Sequence, residues 1–318
     1  MITPDDVNAA VTVAKAAKIW MARCELEQLE RATLHSYRGH VKNHIEPKIG
    51  YLILKELSAV HVRDFLDAML RDSTRAMAKK CLTTLRSIIS AAQERGLVQH
   101  NVARDVKLRR SERHDPDRVF PTKDEIKALL ANASERHQPL IMTALLTGMR
   151  MSELRGLTWD AIDFKRSIIT IRKRADRYCD MGNTKSKSGR REIPMGPGLA
   201  RVLKSWKGAC PKGELDLVFP NGIGNVETHS NIYNRIFKPL MTKSGIVDGE
   251  GAPRFSLHAL RHAAASLFIE QGWPPKKIQT MLGHSSIAMT YDVYGHLFHD
   301  PAKDVDLMGE MERGLLAA

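Results

Sequence analysis

Cysteine is scarce in this chain: there are four in 318 residues. Cys24, Cys81, Cys179 and Cys210 stand far apart with no Cys-x-x-Cys pair, so neither a zinc knuckle nor a disulfide framework is implied, and reduced thiols are expected. Long apolar runs are missing too, and nothing approaches the roughly 20 residues needed to cross a bilayer as a helix. The N-terminal Met1-Ile-Thr-Pro-Asp-Asp6 is acidic where a signal peptide carries base, and no apolar stretch follows it. A cytoplasmic protein with no membrane partner is the expectation. Acid is in deficit: Asp and Glu number 36 against 49 Lys and Arg, a formal net charge of +13. That excess points to a polyanionic partner, nucleic acid before membrane surface. Repeats and low-complexity tracts are absent. The length allows two domains, each with its own core.

Apolar residues recur at helical spacing through the first hundred positions. Val13, Ala16, Ala17, Trp20 and Met21 mark a helix between Val11 and Gln28. Thr33 is read as the N-cap of a second, running through Leu34, Tyr37, Val41 and Ile45 until Pro47 and Gly50 close it. Ser58 opens a third, and Thr74 a longer fourth that reaches Arg95 and ends at Gly96. A bundle of four helices is expected. From Asn101 to Arg118 the pattern breaks, and Arg104, Lys107, Arg109, Arg110, Arg113 and His114 crowd a polar stretch that reads as a linker. Thr122-Lys-Asp-Glu125 is a capping box opening a second domain. There an apolar helix from Pro139 to Leu146 is halted by Gly148. Ile168–Ile171 and Arg191–Ile193 suit strands of a small antiparallel sheet, with a basic, glycine-containing turn between them. Further helices are expected at Gly198–Trp206, Ser230–Met241 and Pro301–Leu316, and a glycine-rich loop at Ser244–Pro253.

The chemistry concentrates between Ser256 and Phe298. His258-Ala-Leu-Arg261-His262 is followed by Leu282-Gly283-His284 and then by Tyr291-Asp-Val-Tyr294-Gly-His296. A helix stopped by Gly272, and another opened by Pro274-Pro275 and running to Leu282, bring His258, Arg261 and His284 together. A phenol is a poor nucleophile unless cations or a base favour loss of its proton. Arginine keeps its charge and offers a rigid fork to phosphate oxygens, while histidine donates hydrogen bonds or shuttles a proton near neutral pH. The implied substrate is a phosphodiester. Upstream, Arg150 follows Thr147-Gly148 at the start of a helical turn, with Glu153 on the same face to buttress it. His258 and His262 have metal-ligand spacing, but the Glu of His-Glu-x-x-His is absent and no third ligand is evident, so no metal and no cofactor is expected. His262 is read as a buried, hydrogen-bonded histidine.

These motifs resemble the tyrosine recombinases of the phage-integrase type. His258-Ala-Leu-Arg261, Leu282-Gly283-His284 and Tyr294-Gly295-His296-Leu297 match the family's second, third and nucleophile motifs. Thr147-Gly148-Met149-Arg150 looks like its first arginine motif, and Thr184-Lys185-Ser-Lys187 before Pro194 like its lysine turn. Separated motifs in the right order are more specific than any one. The family often has Asp where Ala259 stands, a position with no catalytic role.

The resemblance implies a mainly α fold with a small antiparallel β-sheet. It divides into a helical core-binding, SAM-like bundle at 1–105, a basic linker at 106–118, and an α+β catalytic domain at 119–318 with a C-terminal oligomerisation tail. It implies a site-specific integrase that cuts and rejoins DNA through a 3′-phosphotyrosine, without metal or ATP. Arg150 and Arg261 would hold the non-bridging oxygens, His258 and His284 would add donors, Tyr294 would attack and Lys185 would protonate the leaving 5′ oxygen. Lys187 remains an alternative to Lys185. Tyr291 shares a helical face with Tyr294, and the following Gly-His-Leu favours Tyr294. Arg75, Lys79 and Arg86 on one helical face, with Arg109, Arg110 and Lys187, are the expected DNA contacts. The implied partners are duplex recombination sites near the nucleoid, three further copies of the chain in a homotetramer, and an accessory bending or directionality protein. Tyr-Gly-His-Leu favours a bacterial or phage-encoded mobile-element integrase over a chromosome-dimer resolving recombinase. A type IB-like topoisomerase and a basic DNA-binding regulator are the other readings. So few residues precede the first helix that no separate arm-binding domain is expected. The C-terminal helix, with Val305, Met308, Met311 and Leu315 on one side, either folds back on its own core or docks on a neighbouring subunit.

Overall fold

Side-chain caps set most helix starts in the N-terminal part of the chain. In the computed structural model, which describes residues 11–109, 119–298 and 301–316, the chain divides into two units, Met1–Pro116 and Asp117–Ala318. Helix α1 (Val13–Leu26) begins at Thr12, whose hydroxyl accepts the Lys15 N–H at 3.2 Å. Helix α2 (Arg31–His40) starts earlier than Thr33, because the Thr33 N–H already donates to Glu30 O in the first turn. Nor does Pro47 end it. A π-helical turn, Val41–Ile45, leads into Glu46–Ile49, where Pro47 falls in the first turn and needs no N–H partner; Gly50 then closes the run. Helices α3 (Ala59–Asp72) and α4 (Arg75–Glu94) start at Ser58 and Thr74 as expected. Ile45, Phe65, Leu66, Met69, Leu85 and Ile88 fill the core between them.

Residues 101–109 correct the expected linker. Asn101 Nδ2 donates to Arg86 O and Ser90 Oγ, both at 2.8 Å, and Arg86 donates to Ala103 O at 2.9 Å and Val106 O at 2.6 Å. Ala103 and Val106 are buried in the bundle and Leu108 packs against it. The start of the linker at 106 is therefore displaced: Val106 and Leu108 are apolar anchors within a stretch whose charge suggested solvent. Residues 110–118 lie outside the described residues.

In the second unit, α5 (Lys123–Asn132) carries the Thr122/Glu125 capping box. Helix α6 (Gln138–Thr147) ends at Gly148, left-handed at φ 61°, where a Cβ would lie 2.6 Å from Leu282 Cδ2. After α7 (Met151–Arg155) come β1 (Ile162–Asp163), β2 (Ile168–Ile171), β3 (Lys173–Ala175), β4 (Met181–Asn183) and β5 (Arg191–Pro194). Strands β1, β2 and β5 form one antiparallel sheet in that order, with Ile169 opposite Ile193 and Ile171 opposite Arg191. The turn expected between β2 and β5 is instead a β3–β4 hairpin followed by a loop. The hairpin's basic, glycine-containing strands carry no apolar alternation. It is anchored from outside by buried Arg155, which donates to Asp176 O at 3.0 Å and Cys179 Sγ at 3.2 Å.

Helix α8 (Pro197–Ala209) and a helical run that passes through a π-helical stretch, Ile232–Phe237, precede α9 (His258–Glu270), α10 (Pro275–Leu282), α11 (Ala288–Tyr294) and α12 (Pro301–Leu316). Leu129, Ile141, Leu145, Phe237, Leu260 and Leu282 belong to the common core. The small side chains of Ala263, Ala264 and Ala265, all fully buried, let α9 lie close to α6, which brings Arg261 within reach of Gly148. Helix α12 leaves Val305, Met308, Met311 and Leu315 at 51–76% exposure, so its apolar side is not folded onto this chain's core. Among the described residues no helix is long and apolar enough to cross a membrane.

Candidate active site

Two left-handed glycines, Gly148 after α6 and Gly283 after α10, turn backbone carbonyls toward a shared buried point. Arg261, on the first turn of α9, donates to Gly148 O and to Leu282 O, both at 2.7 Å. Arg150, just before α7, donates to Gly283 O at 2.9 Å and to Glu153 Oε1 at 3.0 Å. The two guanidinium groups thus bind consecutive carbonyls, 282 and 283, immediately ahead of His284. Arg261 is buried, whereas the Arg150 side chain keeps 36% exposure.

The charges in this pocket act on one another. Burial first, and then the Arg150 cation, push Arg261 down to about 9, with Glu153 opposing; it remains charged at neutral pH. Burial pushes the Glu153 carboxyl up, but Arg191 and then Arg150 overcome this and hold it below its ordinary value. Three arginines, 150, 191 and 261, surround that one carboxylate, leaving a positive pocket that suits an anion.

His284 is buried after Gly283, its Nδ1 2.9 Å from Thr290 Oγ1 and its carbonyl accepting from Gln279 Nε2 at 3.2 Å. Burial and the Arg261 and Arg150 charges push it down to about 4, so without DNA it is a neutral imidazole at pH 7 rather than a group titrating near neutrality. Between 6.5 and about 4 the unfolded chain binds a proton here that the folded chain does not, so this site lowers stability as pH falls through that window. The slope contributed is at most about 1.4 kcal/mol per pH unit. Thermal unfolding followed from pH 7 to pH 4.5 should show a shallower acid slope for His284→Gln than for wild type; His40, His137 and His229, also lowered by burial, act in the same direction. An identical slope in the variant would contradict this assignment.

Tyr294, the last residue of α11, is 1% exposed, and its hydroxyl lies 2.7 Å from His262 Nδ1. Phe120 packs on both rings, at centroid distances of 5.2 and 5.9 Å. His258, exposed, meets the His262 ring edge-on at 4.7 Å. His262, expected to be a buried, hydrogen-bonded histidine, is half-buried and its hydrogen-bond partner is the Tyr294 hydroxyl. Tyr291 is 49% exposed and lies against Phe298. Lys185 and Lys187 are both exposed on the loop between β4 and β5, on either side of Ser186.

Among the other expected contacts, Arg75 and Lys79 are exposed on α4. Arg75 and Arg109 line, with Arg63 and Asp67, a surface cavity of about 410 Å³. Arg86 is half-buried, and its Nε and Nη2 donate to Ala103 O and Val106 O within its own unit. Arg110 lies outside the described residues. Among the described residues no group of three His, Cys, Asp or Glu is arranged to hold a metal ion.

Sequence reasoning also missed Arg191. Its signal was legible: in a strand it shares a face with Ile193, and a buried arginine calls for a buried carboxylate. The structure supplies Glu153, at 2.8 Å.

Known proteins are similar to this chain over both units. The phage integrase family matches residues 120–300, and the phage integrase central domain matches residues 13–109. A tyrosine recombinase XerC-like protein of Caldanaerobacter subterraneus subsp. tengcongensis is 24% identical, over 90% of this chain and 80% of that protein. An integrase of Streptomyces ambofaciens is 26% identical, over 89% of this chain and 76% of its own length. Among solved structures, the Tn1549 transposon integrase in complex with a circular intermediate DNA aligns with a TM-score of 0.77 at 20% identity, over 95% of this chain and 99% of that one. Lambda integrase bound to a core site aligns at 0.69, also at 20% identity, over 87% and 97%. These two likenesses bear on the fold, a helical N-terminal unit followed by a mixed α and β unit. The family match spans more than half of the 318 residues and carries the motif residues of the pocket, and the chain belongs to the phage integrase family of tyrosine recombinases.

Proposed function

We propose that this protein is a DNA strand transferase of a mobile element, cutting and rejoining duplex DNA through a 3′-phosphotyrosine on Tyr294. The observation that carries the reading is the convergence of Arg150 and Arg261 on the carbonyls of Gly283 and Leu282, next to His284. In attack at phosphorus, negative charge grows on the non-bridging oxygens, and fixed cations there stabilise the transition state most. Arg150 and Arg261 hold those oxygens, and neutral His284 donates to one of them. The Tyr294 oxygen bonds to phosphorus, the phosphorus–O5′ bond breaks, and the leaving oxygen takes a proton from Lys185, with Lys187 the alternative. The phenolic proton passes to the His258/His262 pair, in which His262 already sits against the hydroxyl.

The phosphotyrosine conserves the bond energy of the diester, so rejoining to another 5′-hydroxyl needs neither ATP nor metal. Arg75, Lys79 and Arg109 contact phosphates from the N-terminal unit. The protein works as a homotetramer on two duplexes, each α12 laying its apolar side on a neighbouring copy, with an accessory protein supplying bending or direction. That apolar side favours the recombinase over a monomeric topoisomerase.

The test uses nicked suicide duplexes built from the junctions of the DNA segment in which the gene lies, incubated with the protein in EDTA without ATP. A protein–DNA adduct that survives denaturation is the expected result. Cleavage that appears only with added divalent metal, and without an adduct, would overturn the proposal.

A further inference from the structure

Arg191 has no part in the roles above, yet it touches three segments of the pocket. It lies on the buried face of β5 with its side chain 3% exposed, where every donor needs a partner. Nε donates at 2.6 Å to Met281 O, in the last turn of α10 before His284. Nη1 donates at 3.0 Å to Gly189 O, in the loop that carries Lys185 and Lys187. Nη1 and Nη2 grip Glu153 at 3.1 and 2.8 Å, and the same carboxylate takes the Arg150 guanidinium and, at 2.9 Å, the Arg150 backbone N–H. Gly283 leaves room for this: a Cβ there would stand 3.0 Å from Arg191 Nη1.

We propose that Arg191 is a positioning residue for strand transfer, holding Arg150, the lysine loop and the His284 segment in one fixed arrangement without touching DNA. The inference rests on the strand-transfer reading above. Its first effect is geometric, because one planar fork fixes three chain segments that lie far apart in sequence. The second is electrostatic. A Glu153 neutralised by Arg191 draws less on Arg150, and the outward-facing Arg150 charge is left for the phosphate.

Arg191→Met and Arg191→Lys, compared with wild type on the same nicked junction duplexes in single-turnover cleavage, test this. The expected result is adduct formation slowed about 10- to 100-fold, as for displacements of around 1 Å in a catalytic constellation. Duplex affinity by fluorescence anisotropy should stay within about 2-fold, since the Arg191 guanidinium is bonded to Glu153, Met281 O and Gly189 O and is not offered to phosphate. The lysine variant keeps the charge at this position, and with it the fold should methionine fail, but it lacks the fork and recovers little rate. Unchanged rates, or a parallel fall in rate and affinity, would overturn the positioning role. No adduct from the wild-type protein would instead remove the strand-transfer reading itself.

Discussion

Tyr294→Phe is expected to form no covalent adduct with DNA, a loss beyond about 10⁴-fold, while duplex affinity stays within about 2-fold of wild type. The substitution removes one oxygen and leaves the ring that packs beneath Phe120. His262 Nδ1 loses its 2.7 Å partner, at a cost of about 1 kcal/mol, too little to unfold the unit. Tyr291→Phe is the control: that ring is half exposed against Phe298, and its loss of a hydroxyl should leave the rate within about 3-fold. Adduct gels for the two variants run side by side check both statements. The buried, hydrogen-bonded state of the Tyr294 hydroxyl adds a kinetic expectation. Tyr294 is 1% exposed and must be uncovered to reach phosphorus, so cleavage is expected to lag behind duplex binding, and rapid-mixing anisotropy against quenched-flow cleavage reads the lag.

Arg261→Lys is expected to lose about 10²- to 10³-fold in cleavage despite its unchanged formal charge. The arginine fork bonds two carbonyls at once, Gly148 O and Leu282 O, and a lysine ammonium on a flexible stem cannot hold that geometry. The same burial and the same neighbouring cations that depress Arg261 would act on a lysine starting from a lower ordinary value, and so drive it toward the neutral form at working pH. The loss should therefore be smaller in acid than at pH 8, where less of the lysine is charged. Single-turnover rates from pH 6 to 9 measure this. A lysine variant as fast as wild type throughout would remove Arg261 from the chemistry.

Which parts of this account were legible in the sequence follows from how local each signal is. Gly148 and Gly283 were readable as helix stops because a left-handed residue after a helix calls for glycine within a few positions. Arg150 with Glu153 and His258 with Arg261 were readable because each pair lies within one turn of helix. The same applies to the Thr122, Ser58 and Thr74 caps. The Arg191–Glu153 pair spans 38 positions, and the Tyr294–His262 pair 32, so only the tertiary fold reveals them. The Arg86 bonds to the returning chain were hidden for a related reason: helical periodicity places it on the Arg75 face, and only the fold brings Ala103 O and Val106 O to its guanidinium. Pro47 misled because a π-helical turn, invisible to a 3.6-residue period, changes where a missing N–H matters.

The most direct test of the central claim is to locate the DNA on the protein. The adduct formed in EDTA would be digested with nuclease and protease and the nucleotide-bearing peptide fragmented in a mass spectrometer. The account predicts a nucleotide joined through its 3′-phosphate to Tyr294. A nucleotide on Tyr291 or on any other residue, or cleaved strands with both ends free, would contradict it.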